Sequence, residues 1–150
     1  MGGDFYDYYQ IDATHIGFVI GDVSGKGTPA AMLMMKAITC FKNFVSADKT
    51  PAQIMALVNS AIYQDNKAEM FVTAFLGILD TEAGVIRFAN AGHNPPIVGR
   101  NGNYRFLKCS SGFLLGGMEM CFCVDEQVKI EKGESITLYT DGITEARDKE

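Results

Sequence analysis

The stretch VIGDVSGKGTPAAM, residues 19–32, marks the point at which the chain changes from strand to helix. Residues 15–21 (HIGFVIG) are rich in β-branched and aromatic side chains and therefore predict a strand. Thr28-Pro29 then predicts the start of a helix, with the threonine as N-cap and the proline at the first helical position. Asp22 and two glycines lie between these elements, which raises the question of what chemistry the junction serves.

On either side of this junction, the sequence predicts antiparallel strands around one pair of helices. Residues 5–12 form a strand that a short turn joins to residues 15–21, and a second helix begins at Thr50-Pro51, where Gln53 completes a capping box. Strands separated by glycine-containing turns are then predicted near residues 71–80, 84–90, 96–99, 103–107, 121–130 and 134–140. This order predicts an α+β fold of layered antiparallel sheets rather than a doubly wound parallel sheet.

The composition predicts one soluble globular domain and argues against several classes of partner. The chain has 150 residues, of which 47% are hydrophobic and 21% are charged, and its net charge is −5. An acidic chain lacks the basic face that nucleic acids and anionic membranes require, and no apolar run reaches membrane-spanning length. The four cysteines form no C-x-x-C pair, so we expect reduced thiols, no zinc site and a cytoplasmic location.

Three aspartates stand where apolar strands begin or end. Asp22 follows the strand at residues 15–21, Asp141 follows the apolar residues 136–140, and Asp4 precedes an aromatic strand. Each of them alone could simply start a turn, because Asp-Gly pairs are common in turns. Together they favour a site for hard divalent cations such as Mg²⁺ or Mn²⁺, since a carboxylate at the end of a buried strand needs water or a cation.

The same junction raises a second possibility, a phosphate-binding P-loop. That motif needs four residues between its first glycine and the Gly-Lys pair, whereas three residues separate Gly21 from Gly25-Lys26. Gly27 also stands where a serine or threonine would bind magnesium. The sequence therefore argues against a nucleotide-binding loop, and a nucleotide-binding switch stays open only as a weaker hypothesis.

A few other polar residues invite a functional role but are interpreted as structural. His93 could act as a general acid, yet the asparagines, glycine and prolines around it in residues 90–96 indicate a turn. Thr73 lies in an apolar strand and is interpreted as a packing residue. Cys121 and Cys123 alternate on a predicted strand, where small buried hydrophobic side chains are favoured over a redox pair.

Five blocks of sequence span nearly the whole chain and occur in the order GGDFYD (2–7), GDVSGKGTPAAM (21–32), FVTAFLGILD (71–80), NAGHNPP (90–96) and LYTDGITEA (138–146). Together they resemble the catalytic domain of the bacterial metal-dependent Ser/Thr protein phosphatases. The chain resembles, more narrowly, the SpoIIE-like branch of the PPM (protein phosphatase 2C-like) family, which includes sigma-factor regulatory phosphatases.

The resemblance implies a four-layer α-β-β-α sandwich of two antiparallel sheets flanked by helices, with a two-metal site for Mn²⁺ or Mg²⁺. In that site, Asp22 would bridge both metals and the backbone carbonyl of Val23 would complete one coordination shell. Asp141 would bind one metal, and Asp4 would lie beside both. The resemblance also implies that a metal-activated water hydrolyses phosphoserine or phosphothreonine on a signalling partner, such as an anti-sigma-factor antagonist.

The sequence departs from the family pattern at both ends. Family members have a strand before GGDFYD, and they continue past LYTDGITEA to another acidic metal ligand and a closing strand. We therefore expect residues 1–150 to be a phosphatase catalytic domain that is incomplete at both termini, with an unpaired sheet edge and weak metal affinity. The missing acid also leaves open a catalytically idle, phosphatase-like module that binds a regulatory partner.

Overall fold

Eight strands and three helices make up the part of the chain that the computed structural model describes, residues 3–66 and 69–146. The elements in chain order are β1 (Phe5–Gln10), β2 (His15–Val23), α1 (Thr28–Phe44), α2 (Pro51–Gln64), β3 (Val72–Asp80), β4 (Val85–Ala91), β5 (Ile97–Arg100), β6 (Asn103–Phe106), β7 (Glu126–Lys129), β8 (Ser135–Thr137) and α3 (Asp141–Thr144). The predicted succession of strands, helices and strands is confirmed.

The strands form two antiparallel sheets. The first sheet has the order β1-β2-β3-β4-β7, and the second sheet has the order β6-β5-β8. Every pair of named strands in both sheets is antiparallel. Strands that follow one another from β1 to β4 are also neighbours in space, so the predicted α+β class is confirmed.

Alternating side chains of the first sheet build two apolar layers, one on each face. Leu76 of β3 faces the helices and packs in one core cluster with Phe41 of α1 and Ile54 of α2. Phe75 faces the opposite way and packs with Val98 of β5. The described residues thus form a helix layer and two face-to-face sheets, in agreement with the sandwich that the resemblance implies.

The two long helices begin differently. At α2 the predicted capping box is present: Thr50 Oγ1 accepts a 3.3 Å hydrogen bond from the Gln53 amide, and Gln53 Oε1 accepts one of 2.9 Å from the Thr50 amide. At α1 the predicted Thr28 N-cap is wrong. Gly27, with a φ of 78°, holds the N-cap position, and no side chain caps this helix. Among the described residues, no helix combines the length and the apolarity needed to cross a membrane.

The strand predicted at residues 121–130 is shorter in the structure, where β7 alone remains of it. Beyond the end of the β4–β7 pairing, Gly112 lies beside β4 instead of the predicted strand. The Gly112 amide donates a 2.8 Å hydrogen bond to the Asn90 carbonyl. Cys121 and Cys123 consequently lie outside the sheet, and they pack as partly buried side chains against the helix-facing core.

The last predicted strand, residues 134–140, is also shorter in the structure, because it ends early. β8 stops at Thr137, which pairs with Ile97 at the start of β5. The two residues before Ile97 are Pro95 and Pro96. Because proline has no amide hydrogen, it cannot extend the ladder of hydrogen bonds, and the chain leaves the second sheet just before Asp141.

Candidate metal centre

Asp4, Asp22 and Asp141 come together although they are far apart in the sequence. Asp4 directly precedes β1, Asp22 is the second-last residue of β2, and Asp141 opens α3, which follows β8. One carboxylate oxygen from each residue lies within 4.8 Å of the others. The structure therefore brings the three acids that the sequence singles out to one place, at the rim between the two sheets.

The backbone next to Asp22 packs closely against Gly3. The Val23 amide donates a 3.2 Å hydrogen bond to the Gly3 carbonyl. A Cβ atom on Gly3 would lie only 2.5 Å from the Val23 carbonyl oxygen and 3.0 Å from Asp22 Oδ1. These two oxygens thus lie on the same side of Gly3, so the Val23 carbonyl, which is the fourth expected ligand, is placed beside the Asp22 carboxylate.

Thr140 connects the segment that carries Asp141 to Asp4. Its hydroxyl donates a 2.8 Å hydrogen bond to Asp4 Oδ2, and the same residue is the N-cap of α3. Gly142 lies next to this contact: a Cβ atom there would be at an ordinary van der Waals distance, 3.6 Å, from the same Asp4 oxygen. The role of Thr140 carries no signal in the sequence, because only the tertiary fold brings the two ends of the described chain together.

The close spacing of the three acids raises the free energy of their fully ionised state. Burial, a hydrogen bond with Asp4 and the charges of Asp4 and Asp141 raise the pKa of Asp22 to about 6, although the Val23 amide partly offsets them. A hard divalent cation would satisfy the same oxygens that repel one another when ionised. Three carboxylates and one backbone carbonyl are the donor set that Mg²⁺ and Mn²⁺ prefer, so these residues fit such a cation.

A cleft of about 330 Å³ opens beside Asp22 and Asp141. Its lining combines hydroxyl, amide and imidazole groups with the two acids, and no lysine or arginine lines it within the described ranges. A phosphoryl group would therefore need cations bound at the acids in order to enter this cleft. The lining residues are Asp22, Ser24, Phe71, Thr73, Gly92, His93, Asn94 and Asp141.

His93 is buried, with 7% of its surface exposed, and both of its ring nitrogens have partners. Nδ1 lies 3.1 Å from Thr73 Oγ1, and Nε2 lies 3.0 Å from the Tyr139 carbonyl oxygen. The Asn90 side chain accepts a 2.8 Å hydrogen bond from the His93 amide and donates one of 2.9 Å to its carbonyl. Burial lowers the pKa of His93 below its ordinary value. His93 thus sits in the predicted turn, whereas Thr73 does more than pack, because its hydroxyl contacts His93 in the cleft.

The glycine-rich loop after Asp22 carries the chain from β2 into α1. Gly25 and Gly27 have φ values of 89° and 78°, a backbone conformation that favours glycine. Two hydrogen bonds join Ser24, just after β2, to Phe71. The Ser24 amide donates one of 2.9 Å to the Phe71 carbonyl, and the Ser24 hydroxyl accepts one of 2.8 Å from the Phe71 amide. Lys26 is exposed and lies outside the set of cleft residues. The glycines therefore serve the turn into the helix.

Comparison with known protein families gives one match that covers most of the chain. Residues 12–150 match the family model described as stage II sporulation protein E (SpoIIE). The phosphoserine phosphatase RsbU of Bacillus subtilis (strain 168) is 29% identical over 148 residues, which cover 98% of this chain and 44% of RsbU. The chain thus spans less than half the length of this relative.

Solved structures show the same fold. The structure of the RsbU and RsbW domains of Rv1364c from Mycobacterium tuberculosis matches with a TM-score of 0.82 and 27% identity, over 97% of this chain and 40% of that chain. The PP2C phosphatase domain of SpoIIE from Bacillus subtilis matches with a TM-score of 0.81 and 18% identity, over 97% of this chain and 44% of that chain. The second likeness shows the fold alone, and it agrees with the sandwich expected from the sequence.

Proposed function

The chain belongs to the stage II sporulation protein E family, and from that premise we propose that it is the catalytic domain of a metal-dependent phosphoserine/phosphothreonine protein phosphatase. The observation that carries this proposal is the meeting of three carboxylates, with ligand atoms within 4.8 Å of one another, next to a cleft. A group of carboxylates attracts divalent cations and repels a phosphate, so it supports metal-assisted hydrolysis.

The residues of the site have distinct parts in this proposal, and Asp4 would lie beside both cations. Asp22 would hold both cations, because it hydrogen-bonds with Asp4 and also lies within reach of the Asp141 charge. The Val23 carbonyl would complete one coordination shell, and Asp141 would hold one cation from the second sheet's side. Two Mn²⁺ or Mg²⁺ ions bound there would supply a water of lowered pKa and would neutralise the phosphoryl oxygens.

The cleft sets the chemistry of the substrate. Ser24 and Asn94 present a hydroxyl and an amide group, which can hydrogen-bond the oxygens of a phosphoryl group and orient it toward the acids. The cleft is open and small, so it suits a phosphorylated side chain on a protein surface. We infer that the substrate is a signalling phosphoprotein, such as an anti-sigma-factor antagonist, because a relative that matches 98% of this chain, RsbU, is a phosphoserine phosphatase.

A phosphopeptide assay tests the proposal directly. The full chain is incubated with a phosphoserine peptide and either Mn²⁺ or Mg²⁺, and released phosphate is measured for the unsubstituted protein and for Asp22→Asn. We expect turnover that requires the metal and falls at least about 10²-fold in the variant, since one carboxylate ligand is lost. Glu82→Gln, an exposed acid in the β3–β4 turn, is the matched control and should retain full activity.

The outcomes of this assay separate the two candidate functions. Metal-dependent turnover that Asp22→Asn removes would establish the phosphatase. Metal binding by calorimetry without any turnover would favour the catalytically idle regulatory module instead. Equal turnover by the unsubstituted chain and Asp22→Asn would contradict the proposed site.

A further inference from the structure

The segment that carries Asp141 is fastened to the first sheet by side chains rather than by strand pairing. β8 ends at Thr137, so residues 138–140 cross to the metal centre outside the hydrogen-bond ladder. Two hydrogen bonds hold this crossing in the described part of the chain. One runs from Thr140 to Asp4 at 2.8 Å, and the other joins His93 Nε2 to the Tyr139 carbonyl at 3.0 Å.

The partners of His93 fix which ring nitrogen carries the proton. The Tyr139 carbonyl can only accept, so Nε2 must donate, and in the neutral ring Nδ1 is then an acceptor. The Thr73 hydroxyl, 3.1 Å away, can donate to Nδ1. Both nitrogens are therefore engaged with the protein itself, which leaves neither of them directed at a leaving group.

Thr73 links this arrangement to Asp22. The two residues are register partners on β3 and β2, so their side chains stand on the same face of the first sheet. From Asp22 the connection runs to its neighbour Thr73, through the His93 ring, to the Tyr139 carbonyl and on to Asp141. The Asn90 side chain holds the His93 backbone from behind, at 2.8 and 2.9 Å.

We propose that His93 is a positioning residue that sets the distance between Asp22 and Asp141 by holding the Tyr139 carbonyl, with Thr73 fixing the orientation of its ring. This inference rests on the proposed function insofar as the two acids bind metal. It assigns His93 no role in proton transfer. Outer hydrogen-bond partners of metal ligands commonly control affinity in this way, with losses of about 10- to 100-fold when they are removed.

Two amide substitutions separate positioning from general acid catalysis. In His93→Gln, the side-chain amide nitrogen can stand near the place of Nε2 and still donate to the Tyr139 carbonyl. In His93→Asn, the shorter side chain reaches only the place of Nδ1 and loses that contact. We expect His93→Asn to weaken Mn²⁺ binding by about 10-fold or more in calorimetry, and His93→Gln to restore most of the affinity. Thr73→Val should weaken binding in the same direction.

Controls and a metal-free measurement make the test decisive. His15→Gln, at the chain's other histidine, should bind Mn²⁺ like the unsubstituted protein, and thermal melting should show that each variant is folded. ¹⁵N NMR of the metal-free chain should show His93 protonated at Nε2 and unprotonated at Nδ1.

Three outcomes would overturn the inference. The first is unchanged Mn²⁺ affinity in folded His93→Asn. The second is an equal loss of turnover in the Gln and Asn variants together with loss of the basic limb of the pH–rate profile, because a general acid must be protonated to act and its loss removes that limb. The third is an absence of metal binding by the unsubstituted chain, which would also remove the proposed function, whereas the first two would leave it standing.

Discussion

The Thr140 hydroxyl donates a 2.8 Å hydrogen bond to Asp4 Oδ2 across 136 positions of sequence. This contact joins the segment that follows the second sheet to the residue that precedes the first strand of the other sheet. Because one Asp4 oxygen is held by Thr140, the orientation of the Asp4 carboxylate depends on the same segment that presents Asp141. The two acids are therefore positioned together.

Removing the Thr140 hydroxyl should weaken metal binding without unfolding the protein. Thr140→Val keeps the branched shape but has no donor, so the Asp4 carboxylate loses its fixed orientation. We expect Mn²⁺ affinity to fall by about 10-fold in calorimetry, and Thr140→Ser, which keeps the hydroxyl, to stay close to the unsubstituted chain. Equal affinity in the Val and Ser variants would show that the contact has no part in the site.

The stability of the metal-free chain should depend on Asp22 with a sign opposite to that of a salt-bridged acid. Its folded-state pKa of about 6 lies above the ordinary value of 3.8, so its contribution to stability is present below pH 3.8 and is lost as the pH rises through about 6. The stability of Asp22→Asn relative to the unsubstituted chain should therefore increase between pH 4 and pH 7. Urea unfolding with a chelator present measures this difference.

Mn²⁺ should reverse that trend, since it binds the ionised carboxylates and stabilises the folded state increasingly as the pH rises above about 6. Urea unfolding of the unsubstituted chain at a fixed Mn²⁺ concentration checks this. A stability difference between Asp22→Asn and the unsubstituted chain that stays constant from pH 4 to pH 7 would contradict the raised pKa.

A methyl group on Gly3 should damage the site selectively. In Gly3→Ala the new Cβ would lie 2.5 Å from the Val23 carbonyl oxygen, which is backbone and cannot simply rotate away. We expect the Val23 carbonyl and Asp22 to move and Mn²⁺ affinity to drop by about 10-fold or more. Gly102→Ala is the matched control: its Cβ would meet nothing within 4 Å, but its φ of 82° strains an alanine. That control should lose stability while keeping its metal affinity.

The two helix starts should respond differently to loss of a threonine. Thr50→Ala removes the capping box of α2 and should lower the free energy of unfolding by about 1 kcal/mol. Thr28→Ala should change it by less than about 0.5 kcal/mol, because Thr28 is already helical and caps nothing. Chemical denaturation of both variants measures the difference. A larger loss for Thr28→Ala would show that this threonine stabilises α1 in another way.

The strands, the helices and the three acids could be predicted because their causes are local. Alternating apolar residues indicate the strands, and the capping box at Thr50 indicates the start of α2. An aspartate at the end of an apolar run is visible in the sequence itself. The late start of β7 and the early end of β8 could not be predicted, since they depend on which residue lies alongside. Gly112 occupies the edge beside Asn90, and Pro96 precedes the partner of Thr137.

The hydrogen bonds that support the site could not be predicted from the sequence for the same reason. Thr73 looks like any threonine in an apolar strand, and only the fold places His93, which follows β4, next to its hydroxyl. Thr140 looks like an ordinary N-cap in the sequence, and only the fold places Asp4 next to its hydroxyl. A histidine within the NAGHNPP turn was the one visible signal, and its role depends on a carbonyl 46 residues further on.

The distance along the chain between Asp4 and Thr140 has a consequence for synthesis in the cell. During translation, Asp4 emerges from the ribosome 136 positions before Thr140, so a nascent chain holds an incomplete set of carboxylates until Asp141 has also emerged. Long-range closures of this kind form late in folding. The metal centre would then be complete only once Asp141 has left the exit tunnel, and a polypeptide terminated before Asp141 would lack one of the three carboxylates on which the proposed function depends.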